Sequence, residues 1–167
     1  MADLAEILMI EHMAIRHLRK NVENSPNYLI LENFHDYLKR CHIEIEEKIL
    51  FPMLLDNPSE ETPGFKDEAR RIMADHKLIQ ALFENLAKWF ERQELTNFNS
   101  RFPLYFRLLQ EHNDKEDASV FPHWNSLSGK ELKNGKEEAS GIIESFGRKR
   151  YLEITGLSEG SYSYLFL

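Results

Sequence analysis

An eleven-residue pattern occurs twice in this chain, and it limits the folds open to the chain more than composition does. HIEIEEKILFP runs from His42 to Pro52 and returns as HNDKEDASVFP from His112 to Pro122, both reading His-x-x-x-Glu-x-x-x-x-Phe-Pro. Chance placement of the same residue types would give about 0.002 such matches in a chain of this length. On an α-helix a residue four positions on is rotated by about 40° and raised by about 6 Å. His42 therefore stacks with Glu46, and His112 with Glu116, each pair on one helical face. A neutral imidazole and a carboxylate so placed can ligate one metal ion, or the carboxylate can join that ion to a second. A single copy would be read as a solvated surface pair, whereas the matched repeat favours ligation.

Apolar periodicity predicts four long helices around these pairs. The first runs from an N-cap at Asp3 to about Glu23, with Leu4, Leu8, Ile15, Leu18 and Val22 on a stripe that also holds His12, and with His17 facing solvent. Asn24-Ser25-Pro26-Asn27 ends it. The second spans roughly Tyr28 to Asp56 and carries Phe34, Leu38, Cys41, Ile45, Ile49 and Met53 inward with His42 and Glu46. Pro52 has no amide donor and predicts a kink or break near the end of this helix. NPSEETPG, from Asn57 to Gly64, forms the next connection. The third helix, about Phe65 to Gln93, sets His76 among Ile72, Ile79, Phe83, Leu86 and Phe90. The fourth follows Thr96-Asn97 and runs to around Trp124, with Phe102, Tyr105, Leu108 and Leu109 beside His112 and Glu116. Pro103 lies in its first turns, where a missing amide costs little.

If successive helices are antiparallel, residues equally far from a connecting turn lie at one height. His12 and His42 lie about 13 and 16 residues either side of Ser25-Pro26, and His42 and His76 about 18 and 16 either side of Glu60. His76 and His112 lie about 20 and 16 either side of Thr96. The expected fold is thus all-α, an up-down-up-down antiparallel four-helix bundle. Its candidate ligands, His12, His42, Glu46, His76, His112 and Glu116, can meet at mid-bundle. Glu11, Asp75 and Glu111 each precede one of these histidines. Rotated off the ligand face, they fit a helical charge pattern at least as well as a role in supporting the ligands.

A length of 167 residues suits one domain with an appendage: a bundle over residues 1–126, then a C-terminal helix and apolar tail over residues 127–167. The net charge of -7, with Arg148-Lys149-Arg150 as the only compact basic run, argues against nucleic acid as a partner. No run of about 18 apolar residues exists, and Glu6 interrupts the first apolar stretch, so neither a membrane span nor a secretion signal is expected. The lone Cys41 cannot close an internal disulfide and is read as buried packing, which fits a cytoplasmic protein. Ser128 to Gly147 reads as a fifth helix with Ala139, Ile142, Ile143 and Phe146 on its apolar side. From Tyr151, YLEITGL and SYSYLFL around Ser158-Glu159-Gly160 suggest a short hairpin. A hairpin is marginal alone, so the tail is expected to cover a bundle end or to join a second subunit in a homodimer.

A lone histidine, a His-x-x-x-Glu, a second lone histidine and a second His-x-x-x-Glu, in that order, resemble the hemerythrin-like, or HHE cation-binding, domains over roughly Leu4 to Trp124. The resemblance implies a four-helix bundle holding two iron ions joined by an oxo or hydroxo bridge. By position, His12, His42, His76 and His112 would supply terminal nitrogens, and Glu46 and Glu116 would bridge. Oxygen-carrying members look to use a fifth histidine one turn from the third-helix ligand, where this chain has Ile72 and Gln80. They also use an Asp five residues after the last histidine; Asp117 is available, but the repeat with Glu46 favours Glu116. Four histidines and two glutamates look closer to bacterial iron-centre repair proteins and to the iron-sensing domain of a ubiquitin ligase subunit. One fewer histidine leaves the iron pair more open to water, peroxide or nitric oxide. An apolar wall of Ile15, Ile45, Ile49, Ile79 and Phe83 would still admit a diatomic gas. Tyr105 and His35 lie two turns before His112 and His42 on the same faces, and both are read as core before site. The implied role is binding or sensing of O2 or a related small oxidant such as NO. The alternatives are peroxide breakdown or iron delivery to damaged centres, and a bundle whose histidines only pack.

Overall fold

The computed structural model describes residues 3–57 and 61–166, and every regular element among them is helical. Helix α1 (Leu4–Val22) opens on a reciprocal cap: Asp3 accepts from the Glu6 amide, and Glu6 reaches back to the Asp3 amide. Helix α2 occupies residues 28–55 and starts at Asn27, whose side chain accepts from the Ile30 amide. It is not a uniform α-helix. Two π turns, Leu38–His42 and Glu46–Leu50, alternate with the α segments Tyr28–Tyr37, Ile43–Ile45 and Phe51–Leu55. Helices α3 (Phe65–Glu91) and α4 (Leu95–Ser119) follow, and a 3-10 turn, Phe121–Ser126, closes this part of the chain.

Of the kink or break expected at Pro52, the break does not occur, and a π turn precedes the proline. The π turn just before it moves the pairing by one residue, the Phe51 amide bonding to the Glu46 carbonyl five residues back. The irregularity that a missing proline donor demands is thereby taken up inside the helix, which continues to Leu55. Of the connection expected from Asn57 to Gly64, Pro58, Ser59 and Glu60 lie outside the described residues.

The tail corrects a second expectation. The expected fifth helix is α5 (Gly129–Phe146), capped by Ser128, but no hairpin follows it; the chain forms α6 (Arg148–Thr155) and α7 (Glu159–Phe166) instead, with Leu167 outside the described residues. Positive φ at Gly147 (111°) and Gly156 (71°) separates the three helices. Tyr162, Leu165 and Phe166 are buried at the three- and four-residue spacing of a helix, where a strand would bury alternate residues.

Packing brings the long helices together around one interior. Tyr28 of α2 stacks on Phe90 of α3 at 4.4 Å between ring centroids, Phe90 lies 5.4 Å from Phe98 of α4, and Phe65 of α3 lies 3.9 Å from His123. Arg16 of α1 donates to Asp114 of α4 at 2.9 Å. Leu8, Ile15, Leu38, Cys41, Ile45, Ile49, Ile79 and Leu109 are buried, as their stripes predict. Helix α5 packs closely on this core, since a Cβ on Gly135 would lie 3.1 Å from Trp124, 3.2 Å from Met53 and 3.3 Å from Ile49. Among the described residues no helix is long and apolar enough to cross a membrane.

Candidate metal centre

Four helices each send an imidazole into this interior: His12 from α1, His42 from α2, His76 from α3 and His112 from α4. Glu46 and Glu116 enter beside them, and all six side chains are buried. The imidazoles form facing pairs. Nε2 of His12 lies 3.2 Å from Nε2 of His42, and Nε2 of His76 lies 3.0 Å from Nε2 of His112. Two nitrogens each about 2.1 Å from one ion would lie about 3.0 Å apart at a right angle and about 3.4 Å apart at a tetrahedral one. Both pairs have the spacing that one shared cation requires.

The carboxylates belong to both pairs. His12, His42, Glu46 and Glu116 form one group of converging ligand atoms, and Glu46, His76, His112 and Glu116 form a second. Oε1 of Glu46 is 3.1 Å from Nε2 of His42, while its Oε2 is 3.3 Å from Nε2 of His76. Glu116 places Oε2 3.5 Å from His12 and Oε1 3.3 Å from His112. None of these carboxylate oxygens has a hydrogen-bond donor among the described residues, and all are shielded from solvent. A buried carboxylate needs positive charge close by to offset its lost hydration. Two cations between the nitrogen pairs would satisfy all four oxygens, so the residues present fit a pair of metal ions.

The imidazoles and carboxylates of the cluster shift one another's protonation. Burial opposes charge on His42, but the nearby Glu46 carboxylate and Glu11, which accepts from Nδ1, outweigh it and raise the imidazole to about 9. Burial likewise opposes charge on His76, and Glu46, Glu116 and Glu47 overcome it, again to about 9. His12 is raised against burial by Asp117, Glu116 and Glu46. Burial pushes Glu46 up, but His42, His12 and His76 hold it well below the usual carboxylate range. These imidazoles and this carboxylate stabilise each other's charged forms.

The outward nitrogens face acids. Nδ1 of His12 lies 2.8 Å from Asp117, Nδ1 of His42 2.6 Å from Glu11, and Nδ1 of His76 2.9 Å from Glu47. Nδ1 of His112 is 3.8 Å from Asp75, which is itself held by Lys115 at 2.8 Å. A carboxylate can only accept, so Nδ1 carries the proton in the three bonded cases and Nε2 is left to point inward. From rotation on their own helices, Glu11 and Asp75 fit a helical charge pattern at least as well as a role in supporting the ligands. Glu11 is in fact fully buried, while Glu111 is exposed. Asp117 serves His12 and Arg16 from outside the cluster, and Glu116 occupies the inner position.

Tyr105 and His35 do not face the cluster's ligand atoms. The Tyr105 hydroxyl donates to Nδ1 of His35 at 2.8 Å, and Nε2 of His35 donates to Gln80 at 2.8 Å, with Phe83 stacked on the ring at 3.7 Å. Burial lowers this imidazole to about 4, so it is neutral and both nitrogens are satisfied. Both π turns lie at the cluster, one ending on His42 and the other beginning at Glu46. π turns recur where a helix must re-aim side chains at a site. A reading based on a 3.6-residue period cannot see them.

The fold and site define an all-helical protein with a buried His/Glu cluster suited to cations. Residues 3–124 match the family described as hemerythrin HHE cation binding domain, and the chain belongs to that family. Among curated proteins and among solved structures, none matches the chain significantly.

Proposed function

We propose that this chain is a non-haem di-iron protein that binds or senses O2 or a related small oxidant such as NO. In this reading His12 and His42 hold one ion, His76 and His112 hold the other, and Glu46 and Glu116 join the two. The observation that carries it is the set of four donorless carboxylate oxygens lying between two facing pairs of imidazole nitrogens. The bundle is taken to run up-down-up-down. Tyr28 against Phe90 and Glu47 against His76, followed by Phe90 against Phe98 and Phe65 against His123, are contacts that successive antiparallel helices would make.

Iron bound there would supply electron-transfer chemistry toward O2, NO or peroxide. The chain's own residues do the rest. The outer acids keep the Nδ1 protons in place, so the inner nitrogens stay available and point at one another. Glu46 and Glu116 offset part of the positive charge of the ions, and Glu11 and Asp117 add further negative charge just outside. Ile45, Ile49 and Ile79, all buried, keep the interior apolar and restrict what enters to small molecules.

One observation favours the second reading, peroxide breakdown or iron delivery. A groove of about 570 Å³ between α2 and α3, lined by Lys39, Glu44, Glu47, Lys77 and Gln80, reaches His76. This would open one ligand to exchange with solvent. The deciding experiment is metal content of freshly purified protein followed by an anaerobic oxygen titration. A colourless reduced protein that reversibly gains a charge-transfer band supports binding or sensing. Irreversible oxidation, or gas release from added peroxide, favours the reactive reading. Absence of metal, with stability indifferent to chelators, would overturn both and leave histidines that only pack.

A further inference from the structure

The tail from residue 127 on lies beyond the stretch that matches the family, yet one of its side chains reaches the candidate centre. Tyr151 of α6 is fully buried, and its hydroxyl donates to Oε1 of Glu11 at 2.7 Å. The other oxygen of Glu11 accepts from Nδ1 of His42 at 2.6 Å. Glu11 is fully buried as well, so its charge is supported by a phenol from the tail on one side and a candidate ligand on the other. Independent contacts hold α6 in place. Arg150 pairs with Asp36 of α2 and lies over the Phe146 ring at 4.7 Å, and the Tyr151 ring packs 6.2 Å from both Tyr37 and Tyr162.

We infer that Tyr151 is a positioning residue of the metal centre, fixing Glu11 and, through it, the orientation and donor strength of the His42 imidazole. A carboxylate that accepts from two donors divides its acceptor strength between them. When the phenol is removed, more of that strength falls on the Nδ1 proton of His42, and Nε2 becomes a stronger donor to whatever it ligates. A stronger donor favours the more highly charged metal ion. Tyr151 thus holds the centre at a higher reduction potential than Glu11 and His42 would set alone. The tail is in this way part of the site and not only a cover for the bundle.

The metal arm of the test rests on the di-iron reading above; the other arm does not. Tyr151→Phe in the full chain is compared with Tyr162→Phe, whose hydroxyl bonds to Glu144 at 3.0 Å, away from the cluster. In the metal-free protein, the His42 Nδ1 proton resonance is expected to shift downfield in Tyr151→Phe and to stay in place in Tyr162→Phe. Replacing Tyr151 by 3-fluorotyrosine, a stronger donor of nearly the same shape, is expected to shift it upfield. This analogue also serves if the phenylalanine variant does not fold. In iron-loaded protein of equal metal content, Tyr151→Phe lowers the midpoint potential, Tyr162→Phe leaves it unchanged, and Tyr151→Phe adds nothing in a Glu11→Gln background. A His42 resonance that ignores position 151 overturns the relay. A resonance that moves while the potential does not overturns its hold on the metal. Failure of the parent protein to take up iron overturns the di-iron reading, and the resonance still decides the relay.

Discussion

Asp117 of α4 accepts from Nδ1 of His12 on α1 at 2.8 Å, so the acid beside one candidate ligand supports a histidine on a different helix. The same displacement recurs around the cluster. Glu11, next to His12, serves His42; Glu47, next to Glu46, serves His76; and Asp75, next to His76, lies nearest His112 at 3.8 Å. Helices α1 and α3 thereby contribute one inward ligand each and α2 and α4 two, and every one of the four turns an acid toward its neighbour. Three charge-assisted bonds and the longer Asp75–His112 contact thus run around the four helices and add to apolar burial.

Replacing Asp117 tests its place among these contacts. Asp117→Ala removes the partner of His12 without removing an inner ligand, so metal affinity is expected to fall by about 10–100-fold while stoichiometry at saturating metal is kept. Glu116→Ala should instead abolish stoichiometric binding. Competitive chelator titrations of the two variants distinguish these roles, and the reverse ranking would make Asp117 the bridging carboxylate.

Because Glu46 belongs to both ligand groups, its loss should not spare either ion. Glu46→Ala is expected to hold fewer than about one ion per chain, whereas His12→Ala leaves the His76 and His112 pair intact and should retain about one. Metal analysis after gel filtration reads the difference. Two ions retained in Glu46→Ala would exclude a shared carboxylate.

The repeated motif made the inner site legible, because His and Glu four apart share a face whatever surrounds them. Cross-helix partners were not legible in the same way. The angle of Glu11 to His12 left its role open, and only the approach of α2 and α6 gives it His42 and Tyr151 as partners. The π turns were hidden because the apolar stripe through Leu38, Cys41, Ile45 and Ile49 reads as helix with or without them. In the tail, aromatic and β-branched residues suggested strands. The burial of Tyr162, Leu165 and Phe166 follows helical spacing, a signal present in the sequence but outweighed there by composition.

Two glycines of α5 should respond oppositely to alanine. Gly141 has open space around an added Cβ, so Gly141→Ala is expected to stabilise by about 0.8 kcal/mol through helix propensity. At Gly135 the same Cβ meets the fully buried Trp124 ring at 3.1 Å, and overpacking of about 1–3 kcal/mol exceeds that gain. Urea unfolding of both variants checks the sign. A stabilised Gly135→Ala would mean that α5 sits less tightly on α2.

Acidity should act on the metal-free and metal-loaded forms in opposite directions. His42 and His76 are raised from 6.5 to about 9 in the folded chain, so their contribution to stability is complete below about 6.5 and is lost as pH rises through about 9. Glu46 is held below its usual range, so its contribution is present above about 4.5 and is lost on acidification. The metal-free protein is therefore expected to melt highest between about pH 5 and 6.5 and progressively lower toward pH 9. Ligation needs the inner nitrogens unprotonated, so metal binding at pH 7 should release protons, strengthen up to about pH 9 and fail below about pH 6. Melting temperatures of chelated and loaded protein should diverge as pH rises from 6 to 9, and calorimetry in buffers of different ionisation enthalpy should count the protons released. Melting curves that run parallel across that range would show that these imidazoles do not ligate.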